Sequence, residues 1–305
     1  MRCNLCPRRC GVRRDQGELG RCKSPWELTA ARAALHMWEE PVLSGVSGSG
    51  TVFFSGCGLG CVFCQNRTIA DGETARRISN EKLTELFFML QEKGAHNINL
   101  VTGSHYIPQI AAALRRAKDQ GLKIPVVYNT GSYEKVQTLR LLEGLVDIYL
   151  PDFKYWDSNL AARYADAPDY RFRALAAIDE MIRQVGEPVL ETVPGVQMED
   201  GEALVLMKKG VIVRHLLLPG QSKDSGKILR CLHQTWGDRI YISIMNQYTP
   251  CNDLPRYPEL MRKVTQKEYD NLVDYAIELG VEQGFIQEGE TAEESFIPAF
   301  DYEGL

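Results

Sequence analysis

The chain predicts an α/β fold, a partial or complete barrel, from three observations. From about residue 51 onward, short apolar runs alternate with amphipathic helical patterns, the sign of βα units repeated on a parallel sheet. Six or more such units can be followed, which favours a barrel over a doubly wound open sheet. Polar residues also gather where the apolar runs end, the rim on which α/β barrels carry their reactive groups.

The first strand is Thr51 to Ser55. Its helix has Ser79 as N-cap, Leu83, Leu86, Phe87 and Leu90 on one face, and Gly94 as its stop. Asn97 to Thr102 is the second strand, followed by a helix with Ile110, Ala113, Leu114 and Ala117 in a stripe before Gly121. Ile124 to Thr130 is the third strand and Val146 to Phe153 the fourth; Ile178, Met181, Ile182 and Val185 then form a helical core face before Gly186. Pro188 to Val193 is a candidate fifth strand inside Glu187 to Lys209, the least regular stretch and a candidate surface insertion. Val211 to Leu218 is the sixth strand and Ile240 to Asn246 a further one. A last amphipathic helix carries Leu272, Tyr275, Ala276 and Leu279, and the acidic tail Ala292 to Leu305 is expected to drape over the surface. The expected organisation is a cysteine-rich leader over 1–48, the barrel over 49–250 and a C-terminal extension packing on it over 251–305.

With 305 residues, 44% hydrophobic and 25% charged, the chain has the make-up of a globular protein with a sizeable core. No stretch approaches the roughly 20 apolar residues of a membrane span, and the opening Met-Arg-Cys-Asn-Leu-Cys is unlike a signal peptide, so a cytoplasmic location is expected. A net charge of -5 argues against nucleic acid as a partner. Seven of the nine cysteines fall in two tight clusters with metal-ligand spacing, which fits a reducing compartment better than disulfides. Of the other two, Cys231 reads as a small buried apolar residue beside Ile228 and Leu232, and Cys251 stays ambiguous near the rim. His96 and His233 read as ordinary surface or packing residues.

The sharper cluster is Cys57-Gly-Leu-Gly-Cys61-Val-Phe63-Cys64, directly after the first strand. Three thiolates on one loop can hold three irons of a four-iron cluster and leave the fourth open to a small molecule. The alternative is a zinc-binding or disulfide-bonded loop. A fourth cysteine nearby would favour zinc, but the next is Cys231.

This motif, with aromatic Phe63 before the last cysteine and Gln65-Asn66 after it, resembles the signature of the radical S-adenosylmethionine (SAM) superfamily. The resemblance implies a partial (β/α)6 TIM-like barrel, a [4Fe-4S] cluster on Cys57, Cys61 and Cys64, and SAM on the open iron. One electron from the cluster then yields a 5′-deoxyadenosyl radical that abstracts hydrogen from a substrate carbon. Leu150-Pro-Asp152-Phe-Lys154 is similar to the Asp-x-Lys motif of activating enzymes for glycyl radical enzymes, pyruvate formate-lyase activating enzyme among them. That similarity implies that Lys154 neutralises the SAM carboxylate and Asp152 organises the pocket. Alternation puts both side chains on one face of the strand.

Thr102-Gly103-Ser104-His105 stands where the superfamily commonly has Gly-Gly-Glu; Gly103 keeps the close backbone approach, while Ser104 and His105 do not supply that carboxylate. Asn129 and Thr130 end the third strand, Asn129 in place of an Asp of the activating enzymes. Of Arg214 and His215 only one can face the interior, and the guanidinium fork favours Arg214 as a SAM contact. Met245-Asn246-Gln247-Tyr248 would flank adenine or substrate. The cofactor-binding set is therefore Phe63, Asn66, Gly103, Ser104, Asn129, Thr130, Asp152, Lys154, Arg214 and Gln247.

Cys3, Cys6, Cys10 and Cys22 form a second, four-sulfur set suited to zinc or to an auxiliary iron-sulfur cluster. Its spacing resembles the leader of a group of homologues of pyruvate formate-lyase activating enzyme. Expected partners are an electron donor of flavodoxin or ferredoxin type and a glycyl radical enzyme or peptide substrate; a metabolite substrate and a non-catalytic iron-sulfur electron-transfer or scaffold module are the alternatives.

Overall fold

The computed structural model describes residues 2–198, 201–250, 253–287 and 298–305. Ten strands are present among them: β1 (Thr29–His36), β2 (Ser49–Phe54), β3 (Arg76–Arg77), β4 (Ile98–Val101), β5 (Val126–Thr130), β6 (Ile148–Pro151), β7 (Val189–Gln197), β8 (Ala203–Leu216), β9 (Tyr241–Met245) and β10 (Gly284–Ile286). The sheet runs β10-β9-β8-β6-β5-β4-β2-β1-β3, with β7 off this path. Six consecutive neighbours, β2, β4, β5, β6, β8 and β9, are parallel, and helices pack outside them. The fold is the expected mixed α/β partial barrel.

Burial follows the apolar runs. Every residue of β2, β4, β5 and β6 is buried, as strands covered on both faces must be. The helix Asn80–Glu92 begins where expected: the Ser79 hydroxyl accepts the Lys82 N–H, and Leu83, Leu86, Phe87 and Leu90 are fully buried. The helix Tyr170–Val185 buries Ile178, Met181, Ile182 and Val185 and stops at Gly186.

Three elements depart from the sequence reading. Pro188 to Val193 is not a barrel strand: β7 pairs only with β8, antiparallel, as the exposed to half-buried arm of a hairpin whose β8 arm buries Leu204, Leu206 and Met207. The stretch expected as a surface insertion is that hairpin, and β8 continues from it into the parallel sheet. The second departure is β1, a strand pairing antiparallel with β2 on one side and with the two-residue β3 on the other. Its Ala-rich sequence, Thr-Ala-Ala-Arg-Ala-Ala-Leu-His, has little strand propensity of its own and is held by tertiary pairing. Third, Cys231 is half-buried rather than buried: the helix Ser222–Trp236 turns Ile228, Leu229, Leu232 and Trp236 inward, and the Cys231 sulfur meets Thr235 at 3.6 Å near the surface. Cys251 lies outside the described residues.

The described end of the tail covers the outer sheet edge. Ala33 N–H donates to the Glu303 carbonyl at 2.8 Å, Tyr302 N–H donates to the Ala31 carbonyl at 3.0 Å, and Phe300 packs edge-on to Phe53. No helix among the described residues is long and apolar enough to cross a membrane.

Candidate functional site

At the C-terminal ends of the parallel strands lies a cavity of about 250 Å³, near the lower end for small-molecule sites. The loop after β2 brings Cys57, Cys61, Cys64, Phe63 and Asn66 to it. Thr102 and Ser104 come from the end of β4, Asn129 and Thr130 from β5, Asp152 and Lys154 from β6, Arg214 from β8 and Gln247 from the segment after β9. Of the expected cofactor-binding residues, Gly103 alone is not part of this lining. It is turned into the core, where a Cβ would stand 2.5 Å from Ile110 Cδ1.

One wall is a charged network. Lys154 Nζ lies 2.7 Å from Asp152 Oδ2, and Arg214 Nε lies 2.8 Å from Asp152 Oδ1. Arg214 extends its other nitrogens to Glu39 Oε2 at 2.9 Å and Asn129 Oδ1 at 2.7 Å. Burial disfavours the Asp152 charge, yet Arg214 and Lys154 outweigh it and hold the carboxyl below its ordinary range. Burial likewise opposes the Lys154 charge, and Asp152 overrides it, so the ammonium is held above its usual value. His215 turns the opposite way: its ring nitrogens meet the Phe153 carbonyl at 2.7 Å and Ser225 Oγ at 2.8 Å, leaving Arg214 to the cavity.

Glu39 escaped the sequence reading. It follows β1 within the cysteine-rich leader, and its Oε1 accepts from Asn99 Nδ2 at 2.9 Å. The pair Glu39-Glu40 after an apolar strand was the available signal, since buried charges need partners. Glu134 was missed as well. Its Oε1 accepts from Ser104 Oγ at 2.5 Å and Thr130 Oγ1 at 2.6 Å, fixing two rim hydroxyls. Burial pushes the Glu134 carboxyl upward.

The opposite wall is sulfur on an aromatic bed. Phe63 stands edge-on to Tyr155, Tyr164 and Tyr248, and Tyr155 OH donates to Cys61 Sγ at 3.2 Å. Burial, then the neighbouring Cys57 and Cys61, push the Cys64 thiol up to about 12. Such crowding of sulfurs matches a group that takes one thiolate per iron and delivers the compensating positive charge itself. The loop is held from outside: Arg8 Nε donates to the Gly58 carbonyl at 2.8 Å and Arg8 Nη2 to the Leu59 carbonyl at 3.0 Å.

Cys3, Cys6, Cys10 and Cys22 line a second, small cavity with Arg14, Gly20 and His105. Cys6 lines both cavities, and a Cβ on Gly58 would lie 3.5 Å from its sulfur. Gly56, at φ 90°, passes so close to the leader that a Cβ would collide with Ser24 Oγ and stand 2.5 Å from the Cys22 carbonyl. Among the described residues no three Cys, His, Asp or Glu side chains converge on a single-ion position. A cluster, whose ligands bind separate irons, does not need them to.

A parallel partial barrel with a Cys-x-x-x-Cys-x-x-Cys loop on its catalytic rim has the architecture of an iron-sulfur enzyme. The sequence model of the Radical SAM superfamily matches residues 51–232, more than half of the chain, and the chain belongs to that superfamily. It is a radical SAM enzyme, whose cofactors are a [4Fe-4S] cluster and SAM. An uncharacterized protein of Methanocaldococcus jannaschii is 28% identical over 90% of this chain and 74% of its own length. Among solved structures, SuiB of Streptococcus suis bound to the precursor peptide SuiA is 13% identical with a TM-score of 0.50, covering 77% of this chain and 47% of that one. A domain of pyruvate-formate lyase-activating enzyme from Bacteroides vulgatus is 14% identical with a TM-score of 0.39, covering 60% of this chain and 92% of that one. The chain thus spans about half the length of the SuiB chain it matches.

Proposed function

We propose that Cys57, Cys61 and Cys64 hold the cluster and that the charged wall holds SAM, so that the protein abstracts hydrogen from a carbon of a peptide or protein backbone, a glycine of a partner enzyme being the favoured target. The observation that carries this reading is the convergence of the three cysteines with Asp152, Lys154 and Arg214 on one cavity. The bound cofactors supply the radical chemistry; the protein binds, aims and excludes water.

Within that division, Lys154 offers an ammonium to a carboxylate, and Asp152 sets its direction at 2.7 Å. Arg214 braces Asp152 from behind and is itself held by Glu39, which keeps the wall in place. Gln65 Nε2 donates to the Gln247 carbonyl at 2.9 Å, tying the cysteine loop to the strand end across the cavity. A peptide substrate is supported by the lining residue Trp38, 61% exposed at the mouth, a surface suited to an extended chain more than to a small metabolite.

The leader cysteines are proposed to hold a second metal group. A low-potential one-electron donor of flavodoxin or ferredoxin type completes the reaction, in the cytoplasm. The test of substrate class is to incubate the anaerobically reconstituted protein with SAM, reductant and a candidate glycyl radical enzyme. A glycyl radical signal in electron paramagnetic resonance supports this target, and 5′-deoxyadenosine formation that responds only to a metabolite refutes it.

A further inference from the structure

His105 has no role in the reading above, yet it is 2% exposed and lines the cavity of the four leader cysteines. Its Nε2 stands 2.8 Å from the Ser55 carbonyl. A carbonyl oxygen only accepts, so Nε2 carries the proton and Nδ1 keeps a bare lone pair in the neutral ring. Nδ1 is buried and has no hydrogen-bond partner among the described residues. A buried acceptor left in that state costs about 1–3 kcal/mol. A ring nitrogen made bare by a carbonyl on the opposite nitrogen is the arrangement of metal-bound histidines.

The surroundings are built for the charge of such a site. Arg14, itself 2% exposed, donates from Nη1 to the His105 carbonyl at 2.7 Å, and the same nitrogen lies 4.0 Å from Cys3 Sγ. The Arg21 N–H donates to Cys10 Sγ at 3.4 Å. One guanidinium therefore fixes the histidine backbone and faces a sulfur of the same cavity.

We propose that His105 Nδ1 is a direct ligand of the metal group held by the leader cysteines, giving that site a mixed nitrogen and sulfur donor set. This rests on the reading that the leader holds a metal at all. Because the sulfurs do not converge on one ion position among the described residues, the arrangement fits a cluster on which the nitrogen takes one iron and sulfurs of the leader take the others. Because Ser55 directly precedes the Gly56-Cys57 turn, the histidine also links the two sites through its other nitrogen.

The test uses the full chain with Cys57, Cys61 and Cys64 replaced by Ala, so that metal retained belongs to the leader. Metal content is measured first, and X-ray absorption is recorded at the edge of whichever metal, zinc or iron, is found. The expected result is an imidazole nitrogen at about 2.0–2.1 Å beside sulfur at about 2.3 Å, with the imidazole outer-shell scattering lost in His105→Ala. An all-sulfur shell in the parent overturns the proposal and leaves the second-metal reading intact. A parent with neither zinc nor iron overturns both. Circular dichroism of His105→Ala separates ligand loss from misfolding, and the spectrum of the parent decides the matter without that variant.

Discussion

The two cysteine sites offer the same donor atom to opposite purposes. The loop after β2 presents three sulfurs to a cavity of about 250 Å³ walled by a lysine, an arginine and two carboxylates. The leader presents four to a small cavity closed by Arg14 and His105. Three sulfurs facing open space leave a coordination position for a reacting molecule; four or more sulfurs in a closed space leave none. Their nearness, with Cys6 on both linings and Gly56 against Cys22, makes the closed site the scaffold on which the open loop rests.

The largest effect belongs to the open site. Cys57→Ala, Cys61→Ala or Cys64→Ala should each abolish 5′-deoxyadenosine formation while leaving metal at the leader; residual formation near the parent's rate would remove that cysteine from the site. Arg214→Ala comes next, because it leaves Glu39 a buried carboxylate without its ion-pair partner and Asp152 with Lys154 alone. The expected cost is about 3–5 kcal/mol, read by denaturant unfolding. Glu39→Gln, which keeps the hydrogen bond from Asn99, should cost less.

Cys22→Ala should lower metal content at the leader and reduce the thermal midpoint by several degrees while the other three cysteines and the open cavity persist. Unchanged metal content and midpoint would separate the two sites.

A smaller effect is read in pH. Burial lowers the His215 pKa from 6.5 to about 4, so the fold favours the neutral ring. The associated stability is complete above pH 6.5 and declines as pH falls toward 4, because the unfolded chain binds the proton first. The His215 share of the decline should total about 3 kcal/mol. His215→Gln should make stability fall less steeply over that window, the remaining slope belonging to other histidines that burial lowers, His36 and His105 among them. The smallest effect is Cys231→Ala, at a half-buried helix surface, expected within about 0.5 kcal/mol of the parent.

The parallel core was legible because strands buried on both faces are written as near-continuous apolar runs, as in Ile98–Val101, broken only by Asn99, and Ile148–Pro151. The rim was legible where neighbouring positions on a strand point oppositely, which separated Arg214 from His215. What was hidden depends on contacts distant in sequence. The strand Thr29–His36 is made by pairing with Ser49–Phe54, not by its own residues. Glu39 matters because the fold carries it to Arg214, 175 positions away. His105, at an atypical strand end, shows a donor role only once Ser55 fixes its tautomer.

The most direct measurement is SAM cleavage by the anaerobically reconstituted protein with a strong one-electron reductant. Formation of 5′-deoxyadenosine that disappears in Cys61→Ala is the predicted result. A parent protein carrying its full iron at Cys57, Cys61 and Cys64 that yields none would contradict the assignment of this cavity to SAM.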